Sequence, residues 1–318
     1  MANFYVRNPG GNDGNAGTAA LPWLTLQHAL DNIVAAGDVI YAQGGETIAA
    51  TIDIDTILGN VGGIIRVVGT GANWIVDGTR YVITGNGVAS DGLNVAEDYY
   101  CLENIEITAM QSTGFVVNEG VGQQGVIFHN CYSHDNQGDG FYDAECTGTY
   151  FYRCKAEMND VGFSLGHSYL VFCSASDNGA EGFLGDNGLT CVGCLASGNG
   201  SYGFSSAIGL LMHCVADGQI GAGNAGIFAS TVSLLVIGCR LTNNITGIIS
   251  TDLDLLEDYN FLLGNTANFS MGGGSRIELT ENTLIAGTEG YIDRVGEDFG
   301  LADTATLRRT AVTVGGNP

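Results

Sequence analysis

The sequence predicts an all-β solenoid of stacked short parallel strands, roughly a dozen coils at about 21 residues each, closed at its start by a short helix. Two internal periodicities carry this prediction. First, a cysteine is followed five residues later by a side-chain amide six times in succession: Cys131/Asn136, Cys154/Asn159, Cys173/Asn178, Cys194/Asn199, Cys214/Gln219 and Cys239/Asn244. Steps between these cysteines run from 19 to 25 residues. Second, a glycine and a large apolar residue follow each pair, at Gly140-Phe141, Gly162-Phe163, Gly182-Phe183, Gly203-Phe204, Gly226-Ile227 and Gly247-Ile248. A fixed offset inside a fixed period means one structural unit stacked on copies of itself. The 50 glycines against 3 prolines supply the many tight turns that such a chain needs.

Residues 3–8 read as a strand, and the Gly- and Asn-rich run from Pro9 to Gly17 as a turn. Thr25 is placed to cap a helix whose apolar positions, Leu26, Leu30, Ile33 and Val34, share one face, and Gly37-Asp38 ends it. Residues 1–37 are therefore an N-terminal cap. From Val39 onward, over 38–290, β-rich runs such as Gly63–Gly69 alternate with Gly/Asn/Asp turns, with no long helical pattern between them. At roughly 4.8 Å per coil the rod would be about 55–60 Å long. The tail, 291–318, breaks the pattern and carries Arg308-Arg309 in an uncharged stretch. A solenoid end must be covered, so this tail is expected to be a C-terminal cap or a docking segment.

Strand alternation fixes which columns face inward. The cysteines and the residues two positions on, Ser133, Ala156, Ala175, Ala196, Ala216 and Leu241, are mostly small and apolar, so both columns should line the core. The amides fall at a turn, where stacked Asn or Gln side chains hydrogen-bond from coil to coil. The ladder cysteines project in parallel, a poor geometry for disulfides, and read as buried free thiols. Cys191-Val-Gly-Cys194 has no second pair at zinc spacing.

Charge narrows the partners. The net charge is −24 with Lys+Arg at 10, which disfavours nucleic acid and anionic membranes. No run of 18 apolar residues is present, so no membrane-spanning helix is expected. The N-terminus has neither the basic nor the apolar region of an export signal, which predicts a protein kept in a cytoplasm or released by lysis.

The coil repeat, together with Phe4-Tyr5-Val6, Gly17-Thr18, Pro22-Trp23-Leu24-Thr25 and Gly37-Asp38-Val39-Ile40-Tyr41, resembles the right-handed parallel β-helix, or pectin-lyase-like, superfamily. The resemblance covers most of residues 3–290. It implies a right-handed coil and leaves function open, because the fold hosts lyases, hydrolases, epimerases, adhesins and phage tailspikes. Polygalacturonase signatures are missing: Gly166-His167-Ser168 stands without its companions.

Residues flanking the ladder cysteines are expected to point outward along one sheet face. They include Arg153, Phe172 and His213 before the cysteine, and Tyr132, the sole lysine Lys155 and Arg240 after it. Related lyases use a Lys or Arg on such a face to abstract a proton beside a uronic carboxylate. By that resemblance Lys155 is the candidate base, Arg153 and Arg240 carboxylate binders, and Tyr132 or His213 the acid. Aromatic rings offer stacking surfaces for sugars, which makes Tyr132, Tyr142, Phe172 and Tyr202 glycan-binding candidates. Asp135, Asp139, Asp143 and Glu145 lie within one coil and are candidate ligands for Ca2+, which no step of the leading expectation requires.

The leading expectation is a non-catalytic structural or adhesive β-helix protein of a phage virion, tailspike-like or capsid-decorating, and glycan-binding. The resemblance implies a homotrimer among other virion proteins. The alternatives are a polysaccharide lyase acting on a uronate-containing glycan, and a bacterial surface or secreted adhesin, which would be extracellular.

Overall fold

The computed structural model of the chain describes residues 1–33, 35–55, 59, 62–87, 90–117, 125–185, 188–206, 209–221, 224–230, 234–251, 255–272, 276–278, 284–286, 291–294 and 298–301. Each coil gives one strand to each of three parallel sheets. The first sheet is led by Asn3–Asn8, which pairs with the start of Val39–Ile48, and continues through Ile65–Thr70, Tyr100–Glu103 and Ile127–His129. The second takes the end of Val39–Ile48, then Tyr81–Gly85, Ile105–Thr108, Tyr132–His134 and Lys155–Glu157. The third climbs from Ile52–Ile54 to Ala267–Met271.

The solenoid makes about nine turns, fewer than the dozen expected. Early coils are longer than the cysteine spacing implies: Val67 and Leu102 are register partners 35 positions apart. The extra chain forms excursions such as the Ala72–Trp74 turn.

The core follows the predicted columns. All six ladder cysteines are buried, and Ser133, Ala156, Ala175, Ala196, Ala216 and Leu241 are fully buried beside them. Every cysteine among the described residues is a free thiol. Each ladder thiol donates to a carbonyl of an earlier coil, as from Cys173 Sγ to Phe151 O at 3.4 Å. The phenylalanines of the Gly-Phe pairs stack face to face: Phe115, Phe141, Phe163, Phe183 and Phe204 sit with successive centroids 4.7 to 5.0 Å apart.

The amides form a continuous ladder. Asn136 Nδ2 donates to Asn159 Oδ1 at 2.8 Å, Asn178 Nδ2 to Asn199 Oδ1 at 2.8 Å, and Asn199 Nδ2 to Gln219 Oε1 at 3.1 Å. Each also caps turn backbone, as when Gln219 N donates to Asn244 Oδ1. The ladder runs one coil beyond the cysteines. There Asn260 takes the cysteine's place, accepting from Cys239 N, and Asn265 continues the amides. The five-residue interval between Asn260 and Asn265 carried that signal in the sequence, but the change from Cys to Asn hid it.

The cap helix spans Leu26–Asn32, and the Thr25 hydroxyl accepts from His28 N. It stops five residues before Gly37, and Ile33 is its buried C-cap. Val34 lies outside the described residues. Asp13 fixes the entry: its carboxylate accepts from the Leu24 and Thr25 amides and from the Thr25 hydroxyl. Burial opposes that ionised form, yet these hydrogen bonds hold the carboxyl below its ordinary range. No helix among the described residues is long and apolar enough to cross a membrane. In the tail, Tyr291–Arg294 and Asp298–Leu301 form an antiparallel pair, and Arg308-Arg309 lies outside the described residues.

Candidate functional site

Two neighbouring outer faces carry the chemistry, and a one-residue corner separates them. Between the first and second sheets the chain turns on a residue with left-handed backbone: Asn104, Asn130, Arg153, Phe172, Gly193, His213, Gly238 and Tyr259, with φ between 52° and 65°. The residue before each ladder cysteine is this corner. Arg153, Phe172 and His213 therefore do not lie on a sheet face as expected. They project from a ridge, while Tyr132, Lys155 and Arg240 do stand on the second sheet's outer face.

On that face the register places Glu106, Tyr132 and Lys155 in one column and Thr108, His134 and Glu157 in the next. Lys155 Nζ lies 2.6 Å from Glu157 Oε2 and 4.9 Å from the centre of the Tyr132 ring. The Tyr132 hydroxyl donates to the same Glu157 carboxylate. His134 stacks on Tyr132 at 4.3 Å and lies 3.3 Å from Glu106 Oε1 and 2.7 Å from Asp135 Oδ2. Arg80 closes the group, 3.9 Å from Glu106 and 5.3 Å over the centre of the Tyr132 ring, with hydrogen bonds to Asn130. Lys155 and Tyr132 hold the Glu157 carboxyl below its usual range. Burial, reinforced by Glu157, pushes the Tyr132 phenol up. Arg80, Glu106, His134 and Glu157 were missed in the sequence because they lie outside the cysteine flanks; only register brings them together.

Arg153 was expected to sit beside Lys155. Its guanidinium instead lies 5.0 Å over the Tyr152 ring, on the first-sheet side of the corner. Arg240 is half-buried on the second-sheet face, and His213 is exposed at the corner three coils from Lys155. No shared site joins these three residues.

The first sheet's outer face is aromatic in the same coils. Tyr150 and Tyr169 stack with centroids 5.1 Å apart and planes 12° off parallel. They are 48% and 45% exposed, and Phe172, 56% exposed, meets Tyr152 edge-on at 6.2 Å. His129 lies 5.3 Å from Tyr152 on the other side. Of the glycan candidates, Phe172 belongs to this patch. Tyr132 lies in the charged cluster, Tyr142 on the third sheet, and Tyr202 stacks on Phe228 at 4.5 Å. Tyr150, Tyr152 and Tyr169 were legible as aromatics in neighbouring coils, but their shared face was not.

The acidic candidates diverge. Asp143 is fully buried and accepts from the Ser168 hydroxyl. Asp135 pairs with His134. Burial, with Asp160 and Glu181 nearby, pushes Asp139 up to about 6 against a hydrogen bond from Ser164. The Glu145 side chain lies outside the described residues. Among the described residues no three metal-ligating side chains converge.

No protein-family model matches the chain, and no curated protein is similar to it in sequence. Solved structures are similar to it in shape. A pectate lyase, Pel9A, matches with a TM-score of 0.65 at 15% identity over 96% of this chain and 90% of its own. A glycoside hydrolase matches with a TM-score of 0.68 at 10% identity over 98% of both chains. ORF18 of Geobacillus virus E2 matches with a TM-score of 0.59 at 13% identity over 94% of this chain and 63% of its own. Sequence identity this low leaves the catalytic residues of those proteins untransferred. What the ladders and these likenesses establish together is the architecture: the chain is a right-handed, pectin-lyase-like parallel β-helix.

Proposed function

We propose that the chain is a non-catalytic, glycan-binding β-helix protein of a phage virion, tailspike-like or capsid-decorating, that works as a homotrimer. The exposed Tyr150–Tyr169 stack beside Tyr152 and Phe172 carries the reading. These half-exposed, uncharged rings give sugars apolar surface to pack on, and the ladder below holds them rigid at little entropic cost. The likeness to the Geobacillus virus E2 protein supports the virion setting. The pairing of Lys155 with Glu157 supports the non-catalytic part, because the lysine's nearest charge is a carboxylate rather than a second cation.

An array of bacterial capsular and O-antigen polysaccharides tests the binding. The native chain is expected to bind at least one, and Tyr150→Ala/Tyr169→Ala to lose most of that signal while keeping its melting temperature. Light scattering on the purified chain is expected to give three times the monomer mass; a monomer would remove the trimer from the proposal.

The network of Arg80, Glu106, Tyr132, His134, Lys155 and Glu157 favours a second reading, a polysaccharide lyase. If it holds, uronate polymers yield unsaturated products that absorb in the ultraviolet, and Lys155→Ala abolishes them.

A further inference from the structure

We infer that the glycan is a linear polymer laid along the solenoid axis on the first sheet's outer face and gripped at two like platforms four coils apart; this rests on the glycan reading above. The first platform is the Tyr150–Tyr169 stack, with Arg153 lying over Tyr152. The second is at the N-terminal end of the same face. There Tyr5 and Tyr41 stack at 5.4 Å, Trp74 meets Tyr5 edge-on at 4.9 Å, and the Arg7 guanidinium lies 4.7 Å over the Trp74 ring.

The two platforms share their construction. Each combines a stacked tyrosine pair with an arginine resting on an adjacent aromatic ring. Neither Arg7 nor Arg153 has a carboxylate partner among the described residues. Arg7 Nε donates to the Gln43 amide, 2.8 Å away, which leaves its terminal nitrogens for other acceptors. Three other cations on these faces are paired: Arg66 with Glu103, Arg80 with Glu106 and Lys155 with Glu157. In a chain of net charge −24, two arginines left without acids over half-buried rings are set apart from solubilising charge. Guanidinium donors beside ring faces match the hydroxyl-and-face chemistry of a sugar.

Register puts Tyr152 of the first platform in the column of Tyr5 and Tyr41, with buried Val68 between them, while the Tyr150–Tyr169 stack stands in the next outward column. Tyr5, Tyr41, Val68, Glu103, His129 and Tyr152 are successive partners in a single column. Tyr41 and Tyr152 are four steps apart, roughly 19 Å at about 4.8 Å per step. No single sugar ring spans that gap; a chain of several does. The second platform is also held by strain. Asn73 and Trp74 are consecutive non-glycine residues with left-handed backbone, at φ 57° and 63°. Such conformations persist where the surroundings require them, and here they bring the Trp74 ring onto Tyr5 and Arg7.

The test uses the full chain and calorimetry on size-fractionated hydrolysates of the array polysaccharide that binds. Two linked sites raise affinity for fragments long enough to reach both, by on the order of 100-fold or more. Native protein is therefore expected to bind long fragments at least about 100-fold more tightly than short ones. Trp74→Leu should reduce long-fragment affinity to about the short-fragment value and halve the number of short fragments bound per chain. Arg7→Gln, which keeps the aromatic packing, should shift affinity the same way and guards against misfolding of the tryptophan variant. Native affinity that does not change with length, or folded Trp74→Leu and Arg7→Gln variants that bind long fragments as native protein does, would overturn the two-platform inference. Failure of the glycan reading itself looks different: no array polysaccharide binds, or Tyr150→Ala/Tyr169→Ala binds as well as native.

Discussion

At the scale of single residues, the corner column sets a backbone requirement that only glycine meets without strain. Gly193 and Gly238 both have positive φ, 65° and 63°. A Cβ at Gly193 would come within 2.7 Å of the Phe172 ring, and one at Gly238 within 2.6 Å of the His213 ring. Each glycine is thus the floor under the aromatic of the preceding coil. Gly193→Ala is expected to cost at least about 1–2 kcal/mol from the left-handed backbone, plus displacement of Phe172, read by urea unfolding. Asp139 gives a pH prediction. Its folded pKa, about 6, lies above the usual carboxylate value, so the fold favours the protonated form. Its contribution is most favourable below the unfolded pKa and is lost as pH rises to about 6. Asp139→Asn should therefore raise the melting temperature at pH 7, and the gain should shrink toward pH 4. An equal gain at both pH values would contradict the assignment.

At the scale of the repeating element, the amide column holds the turns and the cysteine column fills space. Asn178 accepts from both Asn159 N and Asn159 Nδ2 and donates to Asn199 Oδ1. Asn178→Ala leaves the Asn159 backbone N–H buried without an acceptor and removes one of two acceptors from its side-chain amide, so a loss of about 2–4 kcal/mol is expected. Cys173→Ala removes only a weak thiol donor and a little volume, with an expected loss of about 1 kcal/mol. Unfolding curves that reverse this order would mean that the thiols, and not the amides, bind coil to coil. Both columns were legible in the sequence because each position recurs with the same chemistry. The left-handed corner was not, since Asn, Arg, Phe, Gly, His and Tyr all occupy it; what they share is a dihedral angle rather than a side chain.

At the scale of the whole molecule, the solenoid is a rigid ruler. Its coils set side chains at a fixed rise, so function depends on which columns coincide on a face. The first sheet presents aromatic rings beside Arg7 and Arg153, which have no carboxylate partner among the described residues, and the second a network of charges around Tyr132. The double variant Tyr150→Ala/Tyr169→Ala should lose most glycan binding without loss of stability, since both rings are about half exposed. Lys155→Ala should leave binding intact, because the lysine is held on the opposite side of the corner by Glu157. A loss of binding in Lys155→Ala would move the site to the second sheet.

The sequence alone determined that the chain is a parallel β-helix, which residues line its core, and where its cap helix starts. Those features repeat locally, and a fixed offset survives in one dimension. Tertiary structure decided the rest. It turned Arg153 away from Lys155, because the corner residue leaves the plane of the strand that follows it. It gathered Arg80, Glu106, His134 and Glu157 around Tyr132, and aligned Tyr5 and Tyr41 with Tyr152. Coil lengths vary from step to step, so only the stacking register fixes which distant residues meet.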